Sequence, residues 1–259
     1  MRTVVRLAAT IARHLPSRYA SEAVRASWRF APRPGPSIVD VEGIALRVDP
    51  ATNGVLDQSL YYLGTYEAGL LDLIDRTLQP GDVAVDVGAY NGLMSLRMAA
   101  AGAEVHAFEP ANMALLQESL RLNPQLPVKA YPVALGSTES VATLRTVAGN
   151  AGGTSVAVGT GDVEVVPLDS FRLSPRFVKI DVEGHEAEVL RGAKQTLARS
   201  KPIVVVEVSR KTGGGEETLR LLSDLGYRLF RLARGKEVPS RLRPLRKLPR
   251  HDNVIAVPS

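Results

Sequence analysis

Five runs along this chain are apolar almost end to end: VAVDV (83–87), EVHAF (104–108), VKAYPVAL (128–135), RFVKI (176–180) and IVVVEV (203–208). A strand with one wet face alternates apolar and polar residues, whereas a strand covered on both faces reads as a continuous apolar run. The segments between these runs carry helical spacing. They are 92–101, NMALLQESLRL ended by Asn123-Pro124, HEAEVLRGAKQTLA, and 216–225 with Leu219, Leu222 and Leu225 on one face before Gly226. Short strand-like pieces at 38–48 come first, then YLGTYEAGLLDLIDRTLQPGD, which reads as one helix closed by Pro80-Gly81. VATLRTV and VEVVP are further strand-like runs inside a glycine-rich excursion, and YRLFRL and NVIAV are the last two strands. The alternation predicts an α/β fold, a doubly wound, mostly parallel, Rossmann-like sheet with helices on both faces.

At 259 residues the chain suits one such domain with an extension. We divide it into an arm, 1–36, and a domain, 37–259. The arm repeats Val4, Leu7, Ala8, Ile11 and Leu15 at helical spacing and ends in APRPGP. Such a helix caps the domain or lies peripherally on an anionic membrane. With no cysteine, disulfides and thiolate chemistry are excluded, so any metal must take oxygen or nitrogen ligands. No stretch of about 18 apolar residues is present to span a bilayer. Arg6 and Arg13 interrupt the start, so a secretory signal is not expected and the localisation expected is cytoplasmic. The net charge of +5 is local, since residues 228–251 hold nine Lys or Arg against Glu237 alone and the remainder is net negative. That is either a solvated loop or a basic lip beside a site.

In an open α/β sheet, ligands bind beyond the carboxyl ends of the strands where strand order reverses. After the first parallel strand comes DVGAYNG (86–92), whose Gly88 and Gly92 permit a tight turn before a helix N-terminus. After the second comes Glu109-Pro110, 21 residues beyond Gly88, where a carboxylate can accept both hydroxyls of a ribose. A dinucleotide fingerprint needs two further glycines, but Tyr90 and Leu93 occupy those places, which disfavours an NAD oxidoreductase. Asp86 would repel a diphosphate and attract a cationic amino group. An adenosine carrying an amino acid, S-adenosylmethionine (SAM), fits better.

DVAVDVGAYNG, HAFEP, VALGS, NAGGTS (150–155), VKIDVEGHE, VVVEV and the late DNVIAVP stand in an order that resembles FkbM-type methyltransferases, SAM-dependent O-methyltransferases of sugar and polyketide tailoring. The resemblance runs from Thr65-Tyr66-Glu67 to Val257 and omits the arm and the arginine-rich segment 234–250. It implies a class I methyltransferase sheet of seven strands, the last antiparallel. It further implies that Asp86, Gly88, Ala89 and Gly92 form the SAM loop, that Glu109 holds the ribose, and that Ala134 and Leu135 flank the adenine. Glu67, Asn91, Pro110 and Asp181 complete the expected cofactor set.

Methyl transfer to an alcohol needs a dry pocket, in-line placement and removal of the hydroxyl proton by a base or an acidifying metal. KIDVEGHE (179–186) ends a buried strand in that crevice. His185 is the simplest base, or a helix-start histidine bonded to Glu188. Asp181 is expected to hold the SAM amino group, orient His185, ligate a metal, or merely cap a helix. Glu183 and Glu186 fall in the first turn of a helix, where carboxylates are favourable anyway. Glu207 is an acid within an apolar run. The expected catalytic set is therefore His185, Asp181, Glu183 and Glu207, with Mg²⁺ at Asp181 and Glu207 as a second option. NAGGTS is expected to be an acceptor loop in which Asn150, Gly152 and Gly153 meet substrate.

The leading function is O-methylation of a hydroxyl on a small-molecule, glycan or glycolipid acceptor. The alternatives are a nucleic-acid methyltransferase using the basic segment and a non-catalytic SAM-binding protein. No nucleic-acid partner is expected, because 234–250 has no aromatic residue to stack on a base.

Overall fold

A computed structural model describes residues 34–147, 150–158, 161–210, 214–232 and 241–259, with side chains outside 145–160. Most of the expected arm and residues 233–240 of the basic segment lie outside the described residues. A hairpin of β1 (Ser37–Val41) and β2 (Ile44–Val48) leads into α1 (Val55–Leu63) and α2 (Ala68–Thr77). The alternating part then runs β3 (Val83–Val87), α3 (Leu93–Ala100), β4 (Glu104–Phe108), α4 (Met113–Leu122) and β5 (Val128–Tyr131). An excursion of β6 (Ala134–Leu135), β7 (Ser140–Val147), β8 (Asn150–Val158) and β9 (Val163–Val166) follows. The chain returns through β10 (Phe177–Ile180), α5 (Glu186–Arg191), α6 (Lys194–Ser200), β11 (Ile203–Ser209) and α7 (Gly215–Asp224). It finishes with β12 (Tyr227–Leu232), β13 (Leu242–Pro244) and β14 (His251–Pro258).

The main sheet has the order β13-β12-β14-β11-β10-β3-β4-β5. Strands β5, β4, β3, β10 and β11 are mutually parallel, and β14 inserts antiparallel between β11 and β12. Apart from the added edge strand β13, this is the seven-stranded class I methyltransferase sheet that the resemblance implied. The apolar runs are explained by burial on both faces. In β11, Val205 joins the layer containing Leu70, Ile74 and Leu96, while Val204, Val206 and Val208 join the layer containing Leu190, Leu197 and Leu222. Each fully buried aliphatic side chain of this kind contributes about 1.5–3 kcal/mol.

Four expectations are corrected. The single helix over YLGTYEAGLLDLIDRTLQPGD is two, because Gly64 ends α1 in the left-handed region (φ 68°) and Glu67, also left-handed (φ 48°), starts α2. HEAEVLRGAKQTLA is likewise two helices, broken at Gly192, where a Cβ would lie 1.9 Å from the Gly136 carbonyl oxygen. The run VKAYPVAL splits at Pro132, which has no N–H for a ladder, so β5 stays in the main sheet while β6 pairs with β9 in a second one. The stretch NAGGTS is no loop: Asn150, Gly152 and Gly153 lie in β8, paired with β7 at the edge of that four-stranded sheet.

Candidate active site

Strand order reverses between β3 and β10, whose register sets Asp86 opposite Lys179 and Val87 opposite Ile180. Both strands therefore run out at one level, and the Asp181 N–H donates to the Val87 carbonyl (2.9 Å). Gly88 takes φ 80°, and a Cβ there would lie 1.9 Å from the Asp181 carbonyl oxygen. The neighbour that demands glycine at 88 is thus the backbone of the DVEG segment.

Beyond Gly88 the loop is pinned from two sides. Tyr90 is left-handed (φ 52°), and its N–H donates to Glu109 Oε2 (2.8 Å). Glu109 Oε1 accepts from the N–H groups of Ala111 and Asn112, both at 2.8 Å, at the start of α4. An ionised carboxylate has about four acceptor positions, so roughly one stays free on Oε2 for a further donor. Pro110, beside it, is half-buried, while Ala89 packs against Ala107 and Leu116. Gly92 (φ 87°) caps α3, and Asn91 Oδ1 accepts from the Leu93 N–H (3.2 Å). Ala134 and Leu135 are buried in β6. On the opposite side stands Asp57 of α1, fully buried, which accepts from Asn91 Nδ2 (3.4 Å) and faces the Tyr90 hydroxyl. Sequence reasoning missed Asp57 because it missed α1.

The crevice beside this loop is acidic around one buried cation. Lys179, 5 % exposed, points its ammonium at Asp181 Oδ2 (3.1 Å) and Asp86 Oδ1 (3.8 Å). Burial opposes its charge, but Asp181, Asp86 and Glu67 hold its pKa above the ordinary lysine value. Asp86, fully buried, accepts from Ser95 Oγ (2.6 Å) through its other oxygen. Its carboxylate is therefore engaged inside the fold by Ser95 and Lys179. Lys179 too went unread in the sequence, although a lysine within RFVKI signals that a buried acid must face it.

Glu67 accepts from Asn253 Nδ2 (2.7 Å), and burial first, then Asp181, push it up to about 7 against the pull of Lys179. Burial, Asp181 and Glu183 raise Glu207 far above the carboxylate range, and it hydrogen-bonds Asp181. Glu207 therefore keeps its proton near neutral pH. Glu207 Oε1 also lies 3.1 Å from His251 Nε2. With Glu183 (φ 51°), Asp181 and Glu207 bring one carboxylate oxygen each within 4.8 Å of one another. The distances suit an oxygen-ligated divalent cation, which would make a bound hydroxyl more acidic. The proton held by Glu207 and the Lys179 ammonium 3.1 Å from Asp181 do not suit it. Glu186 turns away from the group and accepts from the Gly184 N–H (2.9 Å).

His185 stands apart from these acids. It caps α5, and its Nε2 is sealed from solvent with no hydrogen-bond partner among the described residues, 3.4 Å from where a Gly136 Cβ would stand. Burial lowers its pKa. The side chains of Asn150, Gly152 and Gly153 lie outside the described residues.

The sequence profile described as the methyltransferase FkbM domain matches residues 86–229, more than half of the chain. The chain belongs to the FkbM methyltransferase family. Among solved structures, the methyltransferase FkbM from Methylobacillus flagellatus KT shares 20 % identity over 70 % of this chain and 44 % of that one, with a TM-score of 0.49. This chain thus spans less than half of that protein's length. The SAM-dependent methyltransferase from Agrobacterium tumefaciens is 12 % identical, covers 88 % and 72 % of the two chains, and gives 0.49. A putative methyltransferase from Streptococcus mutans, SMU.1697c, solved with SAH, is 13 % identical over 74 % and 98 %, at 0.48. No curated protein matches the chain. In this FkbM chain the matched stretch omits α1, α2 and β14, so Asp57, Glu67, His251 and Asn253 are brought to the crevice by flanking segments.

Proposed function

We propose that the chain is a SAM-dependent O-methyltransferase acting on a hydroxyl of a sugar, glycolipid or polyketide-type acceptor. The observation that carries this reading is the carboxyl pair Asp181 and Glu207, with oxygens within 4.8 Å of each other at adjacent strand tips beside Gly88. The 86–92 loop would take SAM, with the free position on Glu109 Oε2 accepting a ribose hydroxyl. The methyl group would then face the acid pair. An alcohol is a poor nucleophile until its proton leaves, and the carboxylate of the pair would receive that proton within hydrogen-bond reach. The carboxyl pair takes the role of base from His185, whose Nε2 is sealed. Membership of the FkbM family supports methyl transfer; the acid pair supports a neutral hydroxyl as acceptor.

Calorimetry of the purified chain with S-adenosylhomocysteine (SAH) tests the cofactor, and transfer of labelled methyl from SAM to a panel of glycans, glycolipids and polyketide aglycones tests the acceptor. Saturable SAH binding and an O-methyl product are expected. Lack of SAH binding, or methylation only of nucleic acid or amines, would overturn the reading. No helix among the described residues is long and apolar enough to cross a membrane.

A further inference from the structure

Asp57 is a fully buried carboxylate behind the 86–92 loop. Asp49 N–H (2.6 Å) and Asn53 Nδ2 (2.9 Å) reach its Oδ2, Asn91 Nδ2 (3.4 Å) reaches its Oδ1, and the Tyr90 hydroxyl faces it. Two of these donors shape the turn from β2 into α1. The third is Asn91, next to Tyr90 at the tip of the 86–92 loop. No cation of the described residues is paired with it in the structure, so these contacts are what keep a buried acid tolerable.

We propose that Asp57 is a positioning residue for the cofactor: it fixes the tip of the 86–92 loop through Tyr90 and Asn91, and thereby makes the hairpin and α1 part of the SAM site. This rests on the reading of that loop as the SAM loop. Tyr90 holds a left-handed conformation that costs a non-glycine residue about 1–2 kcal/mol. Its N–H is held by Glu109, its hydroxyl faces Asp57, and the next residue, Asn91, donates to Asp57. A loop already in its binding shape does not have to be ordered when the ligand arrives. Tyr90 also fills the place where a dinucleotide loop has glycine, so the tether holds a bulky side chain against the approach of a diphosphate. Asp57 and the α1 helix lie outside residues 86–229, so the family domain alone would lack one of its two loop anchors.

The experiment is SAH calorimetry on the full chain, comparing wild type with Asp57→Asn, Tyr90→Phe and the double variant, alongside melting temperatures without ligand. Each single variant is expected to bind SAH about tenfold more weakly at a temperature where it stays folded. The double variant is expected to lose little more than either single one, because both remove the same link. Singles that bind like wild type, or losses that multiply in the double, would overturn the proposal. So would a lowered melting temperature with unchanged SAH affinity, which would make Asp57 structural only. Should Asp57→Asn fail to fold, Tyr90→Phe carries the test from the loop side of the contact. A wild-type chain that does not bind SAH overturns the cofactor assignment and this inference with it, whereas wild-type binding with unaffected variants overturns the inference alone.

Discussion

Gly88 packs against the main chain of Asp181 so closely that a β-carbon on the glycine would sit 1.9 Å from the aspartate carbonyl oxygen. This contact joins the two halves of the sheet at their switch point. Gly88→Ala adds that collision to a left-handed backbone penalty of about 1–2 kcal/mol. The variant is expected to melt lower and to bind SAH at least about tenfold more weakly. Calorimetry and a melting curve read both, and unchanged values would mean that the loop can move aside without loss.

Lys179 holds together the fully buried Asp86 and the partly exposed Asp181. Lys179→Met leaves Asp86 and Asp181 without their cation, a kind of change that typically costs about 3–5 kcal/mol. Chemical denaturation is expected to show a loss of that order. Because the lysine pKa is raised on folding, its contribution is fully present below the ordinary lysine range and fades only as the pH climbs through the folded value. The lysine itself adds no slope near neutral pH, where the difference between variant and wild type should change only through Glu67, whose carboxyl it pulls down.

Glu67 gives the opposite slope. Its carboxyl is pushed up to about 7, so between roughly pH 4.3 and that value the folded chain keeps a proton that the unfolded chain has released. Stability should fall as pH rises through this window, with burial of Asp57, Asp86 and Glu207 acting in the same direction. Melting temperatures measured across the window are expected to decline, and Glu67→Gln should flatten the decline. A variant as steep as wild type would remove Glu67 from the explanation.

His185 and Asp181 make a discriminating pair. Removing a general base typically lowers the rate by about 10²- to 10⁴-fold. Asp181→Asn is expected to show such a loss with SAH binding retained, while His185→Asn should keep most of its turnover. The reverse pattern would return the role of base to the histidine.

Exhaustive dialysis against a chelator should leave methyl transfer intact, because Lys179 already neutralises Asp181 and the Asp181–Glu207 pair holds a proton where a cation would need both oxygens bare. Activity that vanished and returned only with Mg²⁺ would instead seat an ion on Asp181, Glu183 and Glu207.

The layers of this fold were legible in the sequence because continuous apolar runs, helical spacing and left-handed glycines are consequences of local geometry. VAVDV and EVHAF coincide with β3 and β4 residue for residue. Local breaks were less legible: Gly192 looks like an ordinary helical glycine until the Gly136 carbonyl is brought against it. The chemistry of the crevice was legible as a surplus of acids in KIDVEGHE, but not as an arrangement. Which acid faces Lys179, which stands beside Glu207 and where His185 points depend on groups that meet only in the folded chain. Glu67 and Asn253 are 186 residues apart and 2.7 Å from contact to contact. Asp57 reaches Asn91 across 34 residues from a helix with no apolar run to announce it. What the sequence determined by itself was the doubly wound sheet, the place of the switch point and the loop that follows β3, since each rests on spacing along the chain. Tertiary structure alone decided the partners and charge states of the buried polar groups, because a side chain taken out of water is governed by whatever donors and charges the fold places within a few ångströms of it.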